Sequence, residues 1–262
     1  MVPVVPGVAR NFCDVPAAGL VAWAGSTRRD PYRERMGRGH VLISAHRCNT
    51  PGTVREAAAV GADYAEFDVR RAGDGTLVCS HDPVADAAGV PRLDDHLAAV
   101  AQSDLGAHVD LKGPDAHEWA EELADCCAEV LDLGRVVFTT GNAQAAATLA
   151  RWAEAHDTPC LVGLTVGQST SHLRLPAAVR ARIGELYPTR RWRASGAGVL
   201  VAHHVLARVR LLRWAHRRDV RVLVWTVDHP RIVRAALRDP RVWMVTTNQP
   251  ADAVAARNRL SR

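Results

Sequence analysis

A closed barrel of eight parallel strands and eight helical segments, (β/α)8, with one short extra hairpin strand after the second strand, is the fold this sequence predicts. From Val41 onward short apolar runs alternate with stretches of helical spacing, and that alternation implies parallel strands joined by crossovers. Eight such units fit in about 220 residues, which suits a closed TIM barrel better than an open doubly wound sheet. No G-x-G-x-x-G or G-K-[ST] sequence follows any of the runs, so the phosphate-cradling loops of a nucleotide-binding sheet are missing.

Residues 1–39 carry four prolines and no sustained period and are predicted to be an N-terminal extension, with residues 40–262 forming the single barrel domain. The first strand is Val41–Ala45, followed by a helix over Thr53–Val60 and a second strand over Tyr64–Val69. The turn Gly73-Asp74-Gly75 then leads into the extra strand 76–80, because an Asp-Gly pair between apolar runs favours a hairpin. Helix Leu93–Ala101 precedes strand Ala107–Lys112. Helix His117–Leu131 places Trp119, Leu123, Cys127 and Val130 at helical spacing, and Gly134 is its expected stop. Strand Arg135–Thr140, a helix capped by Asn142 and running to Ala155, and strand Pro159–Thr165 come next. A longer connection over Gly167–Gly196 holds Arg174, Arg180, Arg182, Arg190, Arg191 and Arg193. The remaining units pair strand Ala197–Ala202 with helix Val205–Arg218, strand Val220–Thr226 with helix Arg231–Leu237, and strand Val242–Thr246 with a helix from Ala251.

Of 262 residues, 48% are hydrophobic and 23% charged, and no apolar run is long enough to span a bilayer. The formal net charge of +5 reflects many arginines; a solvated surface is the first reading, and contact with a phosphate or with a membrane periphery the second. Nucleic acid is not an expected partner, because the basic residues show no aromatic interleaving. The six cysteines show neither zinc-site nor disulfide-framework spacing, which fits a reducing, cytoplasmic setting. The apolar patch Val15–Ala24 is interrupted by Pro16 and lacks a basic leader, so no cleaved signal is expected. Oligomeric state is left open.

In a (β/α)8 barrel the functional groups gather at the C-terminal ends of the strands. His46, Arg47, Glu66, Asp68, His81, Asp110, Lys112 and Trp225 all fall at or just past such an end. Glu66 and Asp68 alternate with Ala65, Phe67 and Val69, so the two carboxylates share one strand face. With Asp110 they offer oxygen ligands to a hard divalent ion, Mg²⁺ or Ca²⁺. Arg47 and Lys112 add fixed positive charge suited to a phosphate. Two histidines with near-neutral pKa can take and give protons, and Trp225 can present a ring to a lipid or choline head group.

The runs Ala45-His46-Arg47, Gly61 to Val69, Asp74 to Val78 and His81-Asp82 resemble the glycerophosphodiester phosphodiesterases. Pro91-Arg92-Leu93, Asp110-Leu111-Lys112, Trp225-Thr226-Val227 and Thr247-Asn248-Gln249-Pro250 are similar to that family's later motifs, so the resemblance covers roughly residues 41 to 250. It implies His46 and His81 as the acid/base pair, Glu66, Asp68 and Asp110 as metal ligands, and Arg47 and Lys112 on phosphate. The implied reaction is metal-dependent hydrolysis of a glycerophosphodiester to glycerol 3-phosphate and an alcohol. Cys48 stands where the family usually has Gly, Asn49 to Thr53 shortens its P-E-N-T, and Asp110 replaces its Glu. Asp82 and Pro91 are only nine positions apart, where the family inserts a small subdomain. The related sphingomyelinase D and phospholipase D toxins also lack that insertion, so lysolipid cleavage through a cyclic phosphate is the alternative activity. A barrel that binds a phosphoester without turnover is the non-enzymatic one.

Overall fold

The barrel strands twist around an interior whose lower half is apolar and whose upper half is polar. The computed structural model describes residues 40–167 and 184–261. The expected extension over 1–39, and Arg174, Arg180 and Arg182, lie outside the described residues. The strands are β1 (Leu42–Ala45), β2 (Tyr64–Arg71), β3 (Leu77–Cys79), β4 (Gly106–Leu111), β5 (Val136–Thr140), β6 (Leu161–Val166), β7 (Val199–His203), β8 (Arg221–Trp225) and β9 (Met244–Thr247). Eight of them pair in parallel in the order β1-β9-β8-β7-β6-β5-β4-β2, and β1 pairing with β2 closes the barrel. The predicted extra strand, β3, lies antiparallel to β2 and matches Val69 with Cys79.

The helices are α1 (Pro51–Ala59), α2 (Leu93–Ala101), α3 (Ala116–Val130), α4 (Ala143–Ala155), α5 (Thr189–Ser195), α6 (His204–Leu206), α7 (Leu212–His216), α8 (Pro230–Leu237) and α9 (Pro250–Leu260). A π-helical stretch, Ala207–Leu211, joins α6 to α7. Helix α1 starts at Pro51 rather than Thr53, because Thr50 and Thr53 form a reciprocal cap and a proline at the first helical position sacrifices no hydrogen bond. Helix α3 stops at an extended Leu131, before Gly134, whose N–H binds the Asp132 side chain inside a following 3₁₀ turn. Within the long connection, residues 189–195 form a helix ended by Gly196 at φ 61°, a left-handed stop that glycine adopts without strain.

The alternation read in β2 is the arrangement found. Ala65, Phe67 and Val69 face outward and join Leu93, Leu97, Trp119 and Leu123 in the layer between barrel and helices. Burying Phe67 and Val69 contributes about 2 kcal/mol each, which offsets part of the cost of the two inward carboxylates. The barrel floor is filled by Leu42, Tyr64, Val137, Val199, Leu223 and Met244. Gly106 makes room for it: a Cβ there would come within 2.3 Å of the Tyr64 ring. Above this layer the interior holds buried Ser44, Glu66, Asp68, His108, Thr139 and Thr246. That polar half opens at the C-terminal ends of the strands.

Candidate active site

A cavity of about 710 Å³ occupies this end, and it is lined by His46, Arg47, Glu66, His81, Asp110, Lys112 and Trp225 among others. Seven of the eight residues singled out in the sequence therefore line it. Asp68, the eighth, sits against them: one ligand oxygen each from Glu66, Asp68 and Asp110 lies within 4.8 Å of the others. Parallel pairing explains the convergence, because β2 and β4 are in register with Asp68 beside Asp110 and Glu66 beside His108.

The carboxylates differ in environment. Burial raises the pKa of Glu66 well above the usual carboxylate range, and the negative charges of Asp68 and Asp110 push in the same direction. Burial would also raise Asp68, but Lys112 and a hydrogen bond from Asn49 outweigh it and hold that group below its ordinary value. Lys112 Nζ is 2.9 Å from Asp68 Oδ1 and also pairs with Asp110. Burial opposes its charge, yet Asp110 and Asp68 more than compensate and its pKa is raised. Three carboxylates, two buried and the third partly so, thus face one ammonium and make an oxygen-only donor set. That composition fits a hard divalent cation.

His46 ends the strand closure. Its backbone N–H donates to the Thr247 carbonyl at 2.9 Å, its Nδ1 lies 2.7 Å from Asn248 Oδ1, and its Nε2 is 4.0 Å from Glu66 Oε2. Burial lowers its pKa, with the Asn248 contact partly offsetting that. Arg47, at φ 57°, turns the chain so that its own N–H donates to Glu66 Oε2 at 2.6 Å while its side chain stays exposed at the cavity. His81 follows β3, is more exposed, and has Nδ1 3.0 Å from Asp82 Oδ1. Trp225 ends β8 on the opposite wall and meets the His203 ring edge-on, 5.5 Å between centroids. Cys48 is no nucleophile candidate, because burial and the nearby Glu66 push its thiol up to about 12.

Several contributing residues escape sequence reasoning. Asn49 bridges to Asp68 twice, Nδ2 donating to Oδ2 at 3.1 Å and Oδ1 accepting from the Asp68 N–H at 2.8 Å. His108, fully inside the barrel, lies 3.0 Å from Ser44 Oγ and 3.0 Å from Thr139 Oγ1, and Thr139 donates to Asp110 Oδ1 at 2.9 Å. Because the Thr139 proton goes to a carboxylate, the hydroxyl accepts from His108 Nε2–H, and Ser44 donates to Nδ1. Burial drives the His108 pKa down to about 3, so the ring is neutral and the chain Ser44–His108–Thr139–Asp110 holds the third carboxylate in place. Arg70 donates from Nε to the His81 carbonyl at 2.9 Å and fixes that loop. The sequence carries one signal for this set: His108 and Asp110 share a strand face at the same period as Glu66 and Asp68.

Carboxylate, imidazole and ammonium groups converging at the C-terminal mouth of a (β/α)8 barrel place the chain in the class of barrels whose functional groups gather at that end. The chain matches the model of the Glycerophosphoryl diester phosphodiesterase family over residues 44–104, the segment containing His46, Arg47, Glu66, Asp68 and His81. No curated protein sequence matches it. Among solved structures, it resembles a glycerophosphodiester phosphodiesterase from Parabacteroides distasonis with a TM-score of 0.68 at 17% identity, covering 86% of this chain and 100% of that one. A structure described as a glycerophosphoryl diester phosphodiesterase from Silicibacter pomeroyi gives a TM-score of 0.66 at 16% identity, covering 86% and 95%. An Oleispira antarctica phosphodiesterase, solved with its product sn-glycerol-3-phosphate, gives 0.60 at 17% identity, covering 82% and 96%. At these identities the likeness carries the fold.

Proposed function

We propose that this chain is a phosphoric diester hydrolase that cleaves glycerophosphodiesters to glycerol 3-phosphate and an alcohol with the help of a divalent cation. The observation that carries the reading is the convergence, in one cavity, of His46, His81 and Lys112 with the cluster Glu66, Asp68 and Asp110. The matched family model and the product bound to the Oleispira phosphodiesterase support it. Glu66, Asp68 and Asp110 are the residues that would hold Mg²⁺ or Ca²⁺, which when bound supplies Lewis-acid neutralisation of phosphate charge. Arg47 and Lys112 orient the diester through its non-bridging oxygens. One imidazole of the pair His46 and His81 removes a proton from the attacking water, and the other donates a proton to the departing alkoxide. Trp225 and the apolar Val201 and Leu223 form the wall that receives the alcohol portion.

A second reading has its own observation. Residues 83–90 form turns rather than a covering subdomain, and they are tied back onto the hairpin by Gly73 N–H to Val84 O and Ala87 N–H to Asp74 Oδ2. Among the described residues the cavity therefore lacks that cover, which favours a lysolipid whose own hydroxyl gives its proton to one imidazole and attacks the phosphorus, breaking the bond to the head-group alcohol, which leaves protonated by the other imidazole as the cyclic phosphate forms. The first reading is tested by the hydrolysis rate of glycerophosphocholine before and after EDTA treatment, then with Mg²⁺ or Ca²⁺ restored. Loss and recovery of turnover is expected, with H46A slower by about 100-fold or more. A rate indifferent to EDTA and to H46A would remove the reading.

A further inference from the structure

We propose that Asp228 and Asn248 are a positioning pair that fixes His46 as the Nδ1–H tautomer and leaves its Nε2 lone pair facing Glu66 and the cavity. The inference rests on the acid/base role given to His46 above. Asp228 follows β8 and Asn248 follows β9, the strand that pairs with β1, so the two loops meet beside His46. Asp228 Oδ1 accepts from Thr247 Oγ1 at 3.0 Å and from the Asn248 backbone N–H at 2.8 Å. Its Oδ2 accepts from Asn248 Nδ2 at 2.7 Å. An ionised carboxylate only accepts, so the nitrogen end of the Asn248 amide must face Asp228 and the oxygen end must face His46. That oxygen lies 2.7 Å from His46 Nδ1 and cannot donate. The proton between them therefore belongs to Nδ1, and a neutral imidazole with Nδ1–H carries its lone pair on Nε2. Neither Asp228 nor Asn248 lines the cavity, so both act through His46.

The arrangement makes a polarity test available. In D228N, the oxygen of the substituted amide is still held by Thr247 and the Asn248 N–H, which turns its NH₂ toward the Asn248 NH₂. The Asn248 amide must flip, presents N–H to His46 Nδ1, and forces the ring proton onto Nε2. The double variant D228N/N248D restores an acceptor opposite Nδ1 and an amide donor behind it.

Long-range ¹H–¹⁵N NMR of the full chain labelled at histidine, at a pH where His46 is neutral, reads the tautomer without substrate. Wild type is expected to show Nδ1–H, D228N to show Nε2–H, and D228N/N248D to return to Nδ1–H. On glycerophosphocholine, D228N should lose about 100-fold in kcat with KM within about threefold, and the double variant should recover most of it. If D228N does not fold, N248A removes the acceptor instead and should give a mixture of tautomers. An Nε2–H wild type, or an Nδ1–H ring unchanged in D228N or N248A, overturns the proposal. Wild type with Nδ1–H but no hydrolysis would sink the enzymatic reading and leave the pair standing. Hydrolysis by a wild type with Nε2–H would do the reverse.

Discussion

Replacing His96 by Leu should make the protein markedly more tolerant of acid. His96 lies on α2, is completely buried, and packs its ring 4.3 Å from that of Phe67, the residue between Glu66 and Asp68. Neither ring nitrogen has a hydrogen-bond partner, and burial pushes its pKa down to about 4. The unfolded chain takes up this proton near the ordinary value of 6.5 and the folded chain only near 4, so protonation favours unfolding throughout that window. Stability from this group is full above the upper value and is lost as pH falls toward the lower one. At about 1.4 kcal/mol per pKa unit the loss is on the order of 3 kcal/mol. His108, driven to about 3, adds a loss of the same sign that the substitution leaves in place, so the comparison is between two proteins and not with a flat line. Urea unfolding of wild type and H96L from pH 7 to pH 4 is the assay. The variant should lose about 3 kcal/mol less across that range and gain about 1 kcal/mol at pH 7, since two unpartnered polar atoms leave the core. Equal losses in the two proteins would refute the idea that burial alone depresses this histidine.

The site makes further demands. K112M should destabilise the cation-free protein by about 3 kcal/mol, because it strands the buried Asp68 charge and the partly buried Asp110 charge, and thermal melts in EDTA would measure it. T139V breaks the chain from His108 to Asp110 and should weaken Mg²⁺ or Ca²⁺ binding by about 10-fold in calorimetric titration, with an unchanged affinity counting against the positioning role. H81A should lower kcat for a glycerophosphodiester by about 100-fold or more, and a normal rate would remove His81 from the acid/base pair.

What is legible in the sequence is local and periodic. The alternation through Glu66, Phe67 and Asp68, the Asp-Gly hairpin and the charged residues at the ends of apolar runs specify the barrel, the extra strand and the cavity-lining set. What escapes depends on which strands become neighbours. Asn248 touches His46 across 202 positions only because β9 closes against β1. Asn49 reads as an ordinary loop residue until β1 and β2 pair and bring it against Asp68. His108 is recognisable as an inward residue, but its partners Ser44 and Thr139 lie on different strands. The start of α1 differs from the sequence expectation because its cap joins Thr50 with Thr53, in place of the commoner Glu or Gln at the third position.

Which nucleophile attacks the phosphorus in this cavity, water or the substrate's own hydroxyl, decides between the readings. Phosphorus NMR of glycerophosphocholine and lysophosphatidylcholine incubated with the full chain and Mg²⁺ or Ca²⁺ reads it from the products. Glycerol 3-phosphate from glycerophosphocholine is the expected result. A cyclic phosphate from lysophosphatidylcholine, with glycerophosphocholine untouched, would contradict it in favour of the lysolipid reading, and unchanged spectra for both would leave a barrel that binds phosphoesters without turning them over.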